Sequence, residues 1–150
     1  MKKGQEGEDF VNQVAYSSFL KFWCFPNPLD IGKDNKEICD LLILFNDSLI
    51  LISVKNYKLG NNYSRYFRST TDKAIKQLKG AERLLFGKRD ILLKHPEADP
   101  ILFPKNRINE VYRIVVNLNT GVKIYQTSYY LDQKHFLVMD AEAWHGLVGE

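Results

Sequence analysis

A chain of 150 residues has the length of one domain, and 45% hydrophobic with 13% aromatic residues fills a core, which excludes a disordered polymer. The longest apolar stretch is cut by Asn46-Asp47 and ends at Lys55, which excludes a membrane-spanning segment. The net charge of +3 divides unevenly: Lys55 to Lys94 carries eleven basic residues against Asp72, Glu82 and Asp90, giving +8, and the remainder carries ten basic and fifteen acidic residues, giving −5. A basic block in an otherwise acidic domain is the footprint of a nucleic-acid surface or of a solvated helix face, and charge alone weighs the two equally.

The start, Met1-Lys2-Lys3-Gly4-Gln5-Glu6, turns acidic at once and lacks the apolar segment of a signal peptide. Cys24 and Cys39 sit among apolar residues without metal-type spacing, so they read as buried thiols of a cytoplasmic protein. The spacing predicts a helix over Glu6 to Phe22, with Phe10 or Val11, Val14 or Ala15, Ser18 and Phe22 on its inner face. Trp23 to Ile31 holds two prolines around a short, irregular strand, and Gly32 to Lys36 is a polar loop.

Ile38 to Lys55 follows as two apolar strands around a polar turn, with Asp40 opening the first and Lys55 closing the second. A charge at the end of a buried strand is costly unless it is paired or used. Side chains alternate along a strand, so Ser53 and Lys55 share a face. A turn at Asn46-Asp47 sets Asp40 opposite Ser53, and a turn at Asp47-Ser48 sets it opposite Lys55. Opposed residues of an antiparallel pair project from the same face, so either register gathers Asp40, Ser53 and Lys55. A three-residue loop would set Asp40 opposite Val54 and break the cluster. The plainer alternative is a cross-strand salt bridge between Asp40 and Lys55.

Tyr57 to Ser69 reads as a loop in which Tyr57, Tyr63, Tyr66 and Phe67 interleave with Lys58, Arg65 and Arg68. Such a mix suits stacking on bases and holding phosphates, or simply a loop pinned by its aromatics. Ser69 to Asp72 offers caps for a helix that runs to about Phe86 and stops at Gly87. Ala74, Ile75, Leu78, Ala81 and Leu85 form its inner stripe, with Lys73, Lys76, Lys79 and Arg83 largely opposite. Asp90 to Asn106 reads as loop-rich, with three prolines, Val111 to Leu118 as a strand with Val122 to Gln126 as hairpin partner, and Phe136 to Met139 as the last strand. Asp140 caps a helix beginning at Ala141 that is only about two turns long, which suggests that a longer protein continues beyond. Trp23 and Trp144 read as core, and His95, His135 and His145 as structural or exposed. The order implies one α/β (α+β) domain over 1–150, a mixed sheet with helices on its faces.

From Gly4 to Leu118 the chain resembles the restriction-endonuclease-like superfamily, the PD-(D/E)XK nucleases. The resemblance rests on Glu8 in the first helix, Asp40, the tripeptide Ser53-Val54-Lys55 one strand later, and Gln77 among lysines on the next helix. Gly4-Gln5-Glu6-Gly7-Glu8 looks like the Gly-x-x-x-Glu opening of Holliday-junction resolvases and related branches. The Ser-Val-Lys form after Lys36-Glu37-Ile38-Cys39-Asp40 is similar to a group of bacterial members in which serine takes the usual acid's place.

The resemblance implies the αβββαβ core of that superfamily with extra C-terminal strands, and a Mg²⁺- or Mn²⁺-dependent endonuclease acting on DNA, with RNA open, in restriction or phage defence. Such enzymes often work as homodimers. Asp40 is then the central metal ligand and Glu8 a second one. Lys55 orients water or stabilises charge on the phosphate, and Gln77 positions water or phosphate. Lys58, Arg65, Arg68, Lys73 and Lys76 are the candidate nucleic-acid contacts. Ser53 departs from the pattern, because a hydroxyl is a poorer Mg²⁺ ligand than a carboxylate. A backbone carbonyl and water complete the metal, another acid replaces the missing one, or catalysis is lost and the domain binds nucleic acid or a protein. Glu37, three residues from Asp40, is expected to face away, and Glu82 lies five residues beyond Gln77, so neither is a strong substitute.

Overall fold

The computed structural model describes residues 3–17, 19–56, 63–118 and 127–148. The chain runs α1 (Lys3–Ser17), a 3₁₀ turn (Phe19–Trp23), β1 (Cys24–Pro26), β2 (Leu29–Asp30), β3 (Lys36–Glu37), β4 (Leu41–Phe45), β5 (Ser48–Lys55) and α2 (Tyr63–Leu85). It continues with β6 (Leu92–Leu93), β7 (Ile101–Leu102), β8 (Glu110–Asn117), β9 (Ser128–Leu131), β10 (Lys134–Asp140) and α3 (Ala141–Val148). A mixed six-stranded sheet ordered β1-β4-β5-β8-β10-β9 carries the three α-helices, and β3-β2-β6-β7 forms a small second sheet.

Alternation along β4 and β5 divides the core. Leu42, Leu44, Leu49 and Leu51 face α2 and pack with Ala74, Ile75, Leu78, Ala81 and Leu85. Leu41, Ile43, Ile52 and Val54 face the other way and pack with Val11 and Ala15 of α1 and Trp144 of α3. The hairpin adopts the first of the two registers, Phe45 opposite Ser48 and Leu41 opposite Ile52. Asn46 takes the left-handed backbone that its tight turn requires (φ 56°).

β5 runs parallel to β8, and β8 parallel to β10. Lys55, Asn117 and Asp140 therefore lie in a row at the carboxyl ends of three parallel strands, where open α/β sheets characteristically bind ligands. Asp140 caps α3 as its sequence suggests, its Oδ1 accepting the Ala143 N–H at 2.8 Å.

Several expectations are corrected. The first helix ends at Ser17 and gives way to a 3₁₀ turn, with Val11 and Ala15 buried and Phe22 exposed. Residues Tyr63 to Ser69 are the first two turns of α2 and not a loop. The helix extends upstream because Thr70 and Thr71 are buried and carry the inner stripe back from Ala74, where their hydroxyls disguise it. The stretch Asp90 to Asn106 is loop-rich as expected, and within it β6 and β7 are strands of two residues each. Trp144 is core, whereas Trp23 is half-buried and meets Phe45 edge-on at 5.0 Å. His95 is structural: its Nδ1 accepts the Glu97 N–H at 3.0 Å and its Nε2 faces the Lys21 carbonyl at 3.2 Å. Lys58 and the expected strand Val122 to Gln126 lie outside the described residues. Among the described residues no helix is long and apolar enough to cross a membrane.

Candidate active site

Asp40, Ser53 and Lys55 all project to the α2 side of the sheet, where each is buried. Gln77 of α2 meets them there. Its Oε1 accepts the Lys55 ammonium at 2.7 Å and the Ser53 hydroxyl at 3.0 Å. Two donors on one oxygen fix the amide orientation and leave its NH₂ directed elsewhere. Asp40 Oδ2 accepts the Val54 backbone N–H at 2.6 Å, and the Ser53 hydroxyl also lies within its reach. Asp40 and Lys55 act on each other electrostatically, but the ammonium is bonded to Gln77, so the plain salt bridge is replaced by a three-part polar cluster.

Glu8 enters from α1. Gly7 is buried against the ends of β5 and β8: a Cβ there would lie 2.9 Å from Leu118 Cδ1 and 3.0 Å from Asn56 Cβ. That close approach brings the next residue to the edge of the site. Gly4, the glycine in the Gly-x-x-x-Glu pattern, has open space around it. Asn27 Nδ2 donates to Glu8 Oε2 at 3.1 Å, Asn27 Oδ1 accepts from Asn12 Nδ2 at 3.0 Å, and the Asn27 N–H donates to the Asp40 carbonyl at 2.9 Å.

Glu37 overturns an expectation. It does not face away; it lines the same cleft as Asp40 and feels that carboxylate's charge. The period-two argument fails because no single strand joins the two acids. β3 ends at Glu37 in the small sheet and β4 begins at Leu41 in the large one, so parity is lost between them. Neither Asn27 nor Glu37 stood out in the sequence as a site residue. The one local sign is Asn27 between Pro26 and Pro28, where it holds φ 45°, a left-handed conformation rare before proline.

Burial, then the neighbouring charge of Asp40, pushes the Glu8 and Glu37 carboxyls above their ordinary values. Burial also raises Asp40, against the pull of the Val54 N–H and Lys55, and burial lowers Lys55. Burial lifts the Cys24 thiol to about 12 and the Cys39 thiol higher still, which suits packing and not chemistry.

The acids crowd one region and supply hard oxygen donors beside a buried cation. Among the described residues no three His, Cys, Asp or Glu side chains are grouped tightly enough to enclose a metal ion. Mg²⁺ needs no such cage, since it keeps several waters and takes one or two carboxylates, so Asp40 with Glu8 or Glu37 fits it. Glu82, the other acid weighed as a replacement, is engaged elsewhere, forking Arg113 at 2.7 and 2.6 Å and meeting Lys134 at 3.2 Å.

Asp40, Ser53, Glu37 and Gln77 line one end of an open cleft of about 730 Å³. Lys73 lies close enough to lower Lys55 electrostatically, and exposed Lys76 flanks it on α2. Arg65 and Arg68 line a separate depression with Ser64, Ser69 and Asp72 at the start of the helix. No protein-family model, curated protein or solved structure matches this chain.

Proposed function

We propose that this domain is a metal-dependent nuclease of the restriction-endonuclease-like type, hydrolysing phosphodiester bonds of DNA. The observation that carries the reading is the convergence of Asp40, Ser53, Lys55 and Gln77 on one face, with Glu8 and Glu37 at its edge. Support comes also from the main-sheet order, α1, the antiparallel strands β1, β4 and β5, α2 and the parallel strand β8, which is the order of an αβββαβ core once the strands of the small sheet are set aside.

Mg²⁺ or Mn²⁺ held by Asp40 with Glu8 or Glu37 would neutralise the scissile phosphate and acidify a water. Lys55 supplies a buried positive charge beside Asp40, suited to the extra charge that builds on phosphate oxygens. Gln77, its carbonyl held by Lys55 and Ser53, keeps its NH₂ for a phosphate oxygen or the attacking water. Asn27 orients Glu8. Ser53 is assigned the role of locking Gln77 and not of binding metal.

A second reading has its own support: the position of the usual acid is a neutral serine engaged with Gln77, consistent with a nuclease-like domain that binds nucleic acid without cutting. Incubation with single- and double-stranded DNA and RNA, in Mg²⁺ or Mn²⁺, separates the two. Cleavage that falls by about two orders of magnitude in both Asp40→Ala and Lys55→Ala supports the nuclease. Cleavage that persists in both variants refutes the site, and binding without cleavage supports the second reading.

A further inference from the structure

Gly80 lies inside the 23-residue helix α2, one turn after Gln77. Glycine there costs about 1 kcal/mol relative to alanine. Among the described residues nothing requires it, because a Cβ at this position meets no atom within 4 Å. Its bare backbone lines the same cleft as Asp40 and Gln77. Glycine without an internal packing reason, on the wall of a cleft, is suited to close approach by a ligand.

The facing walls carry cations. Lys33 stands on the turn between β2 and β3, Lys36 at the end of that turn, and Arg83 follows Gly80 on α2. Among the described residues none of the three has a carboxylate at ion-pair distance. Four acids line the same cleft: Asp34 beside these cations, Glu37 and Asp40 at the site, and Asp30, which is already forked by Arg89. That fork also pins the turn, in which Asp34 and Asn35 hold left-handed backbones of φ 57° and 47°. The cleft's volume, about 730 Å³, is in the range that holds a drug-sized molecule, roughly one or two nucleotides of a strand.

We propose that this cleft holds one strand of nucleic acid, its phosphates on Lys33, Lys36 and Arg83, and passes it across Gly80 to Asp40 and Gln77. The proposal rests on the hydrolytic reading for its direction and extends it to the form of the substrate. It places the main phosphate-binding groups on the β2–β3 turn, away from Arg65 and Arg68.

Binding is measured apart from cleavage, by fluorescence anisotropy of labelled single-stranded and blunt duplex oligonucleotides in EDTA and in Ca²⁺. The wild-type protein is expected to hold the single strand at least about 10-fold more tightly than the duplex. Gly80→Trp is expected to weaken single-strand binding at least 10-fold, while Gly80→Ala, which helix propensity favours, leaves the fold intact or firmer. The exposed double variant Lys33→Ala/Lys36→Ala is expected to weaken binding similarly. It should also reduce the slope of log affinity against log salt by about 1.4, at roughly 0.7 for each phosphate that is no longer neutralised. Equal affinity for strand and duplex, or unchanged binding in folded Gly80→Trp and in the double lysine variant, overturns the proposal. Strand binding that depends on Gly80, in a protein that cuts nothing with Mg²⁺ or Mn²⁺, refutes hydrolysis and leaves the cleft assignment standing.

Discussion

Lys55 Nζ donates to Gln77 Oε1 across 2.7 Å, tying the last residue of β5 to the middle of α2. The same oxygen takes the Ser53 hydroxyl, so two buried donors depend on one exposed helix residue. Gln77→Ala leaves both without that acceptor. The expected result is a loss of roughly 1–3 kcal/mol in chemical denaturation. Gln77→Glu keeps the acceptor and is expected to recover most of that loss. If Gln77→Ala unfolds at the wild-type denaturant concentration, the bond contributes nothing.

Ser53 sits 1% exposed beside Asp40 and Gln77. Ser53→Asp puts the acid of the usual tripeptide there. Without metal, another buried carboxylate next to Asp40 is expected to cost roughly 3–5 kcal/mol. Mg²⁺ or Mn²⁺ should return part of that cost, since a ligand that binds only the folded state at 100 times its Kd adds about 2.7 kcal/mol. Melting curves in EDTA and in millimolar Mn²⁺ check this: the metal-induced rise should be larger in the variant than in the wild-type protein. An equal rise in both would show that position 53 does not reach the ion.

The hairpin was legible because two strict periodicities, alternation along a strand and pairing across a turn, leave little freedom once a two-residue turn is assumed. The inner stripe of α2 was legible from Ala74 onward for the same reason. Its first turns were hidden because Thr70 and Thr71 serve as core while reading as polar. Glu37 escapes the alternation argument because it ends a strand of the small sheet, whereas Leu41 begins a strand of the large one. Asn27 was invisible because its role comes from partners scattered along the chain: Asn12, Glu8 and the backbone of Asp40.

The two glycines of the first helix separate pattern from packing. Gly7→Ala drives a methyl group to 2.9 Å from Leu118 Cδ1 and 3.0 Å from Asn56 Cβ. Relief requires α1 to shift outward, with an expected cost of about 1–3 kcal/mol. The same shift carries Glu8 away from Asn27, so metal-dependent stabilisation should shrink as well. Gly4→Ala meets nothing within 4 Å and should be within about 0.5 kcal/mol of wild type. Thermal melts of the two variants, with and without Mn²⁺, test the contrast, and equal effects at both positions would refute the packing role of Gly7.

The acid cluster sets a pH dependence whose sign is fixed. Asp40, Glu8 and Glu37 all have folded values above their ordinary ones, chiefly through burial. Their contribution to stability is therefore complete below about pH 4 and is lost as pH rises through the folded values. Lys55, lowered by burial, has the opposite slope: folding disfavours its charged form, and that cost is relieved as pH rises through its folded value toward that of a free lysine. Other groups also run opposite to the acid cluster: Asp30 on Arg89, and Glu82 on Arg113, are lowered and lose their stabilisation as pH falls through their folded values. Asp40→Asn keeps an oxygen for the Val54 N–H and removes one of the clustered charges. In metal-free buffer it is expected to melt about 2–4 °C above wild type near pH 7, about 1 kcal/mol for a domain of this size. The gap should close toward pH 4, where the wild-type carboxyl takes up its proton. Mn²⁺ should narrow it from the other side by stabilising the wild-type protein and not the variant. A variant that melts below wild type at pH 7 in EDTA would mean that the Asp40 charge supports the fold instead of straining it.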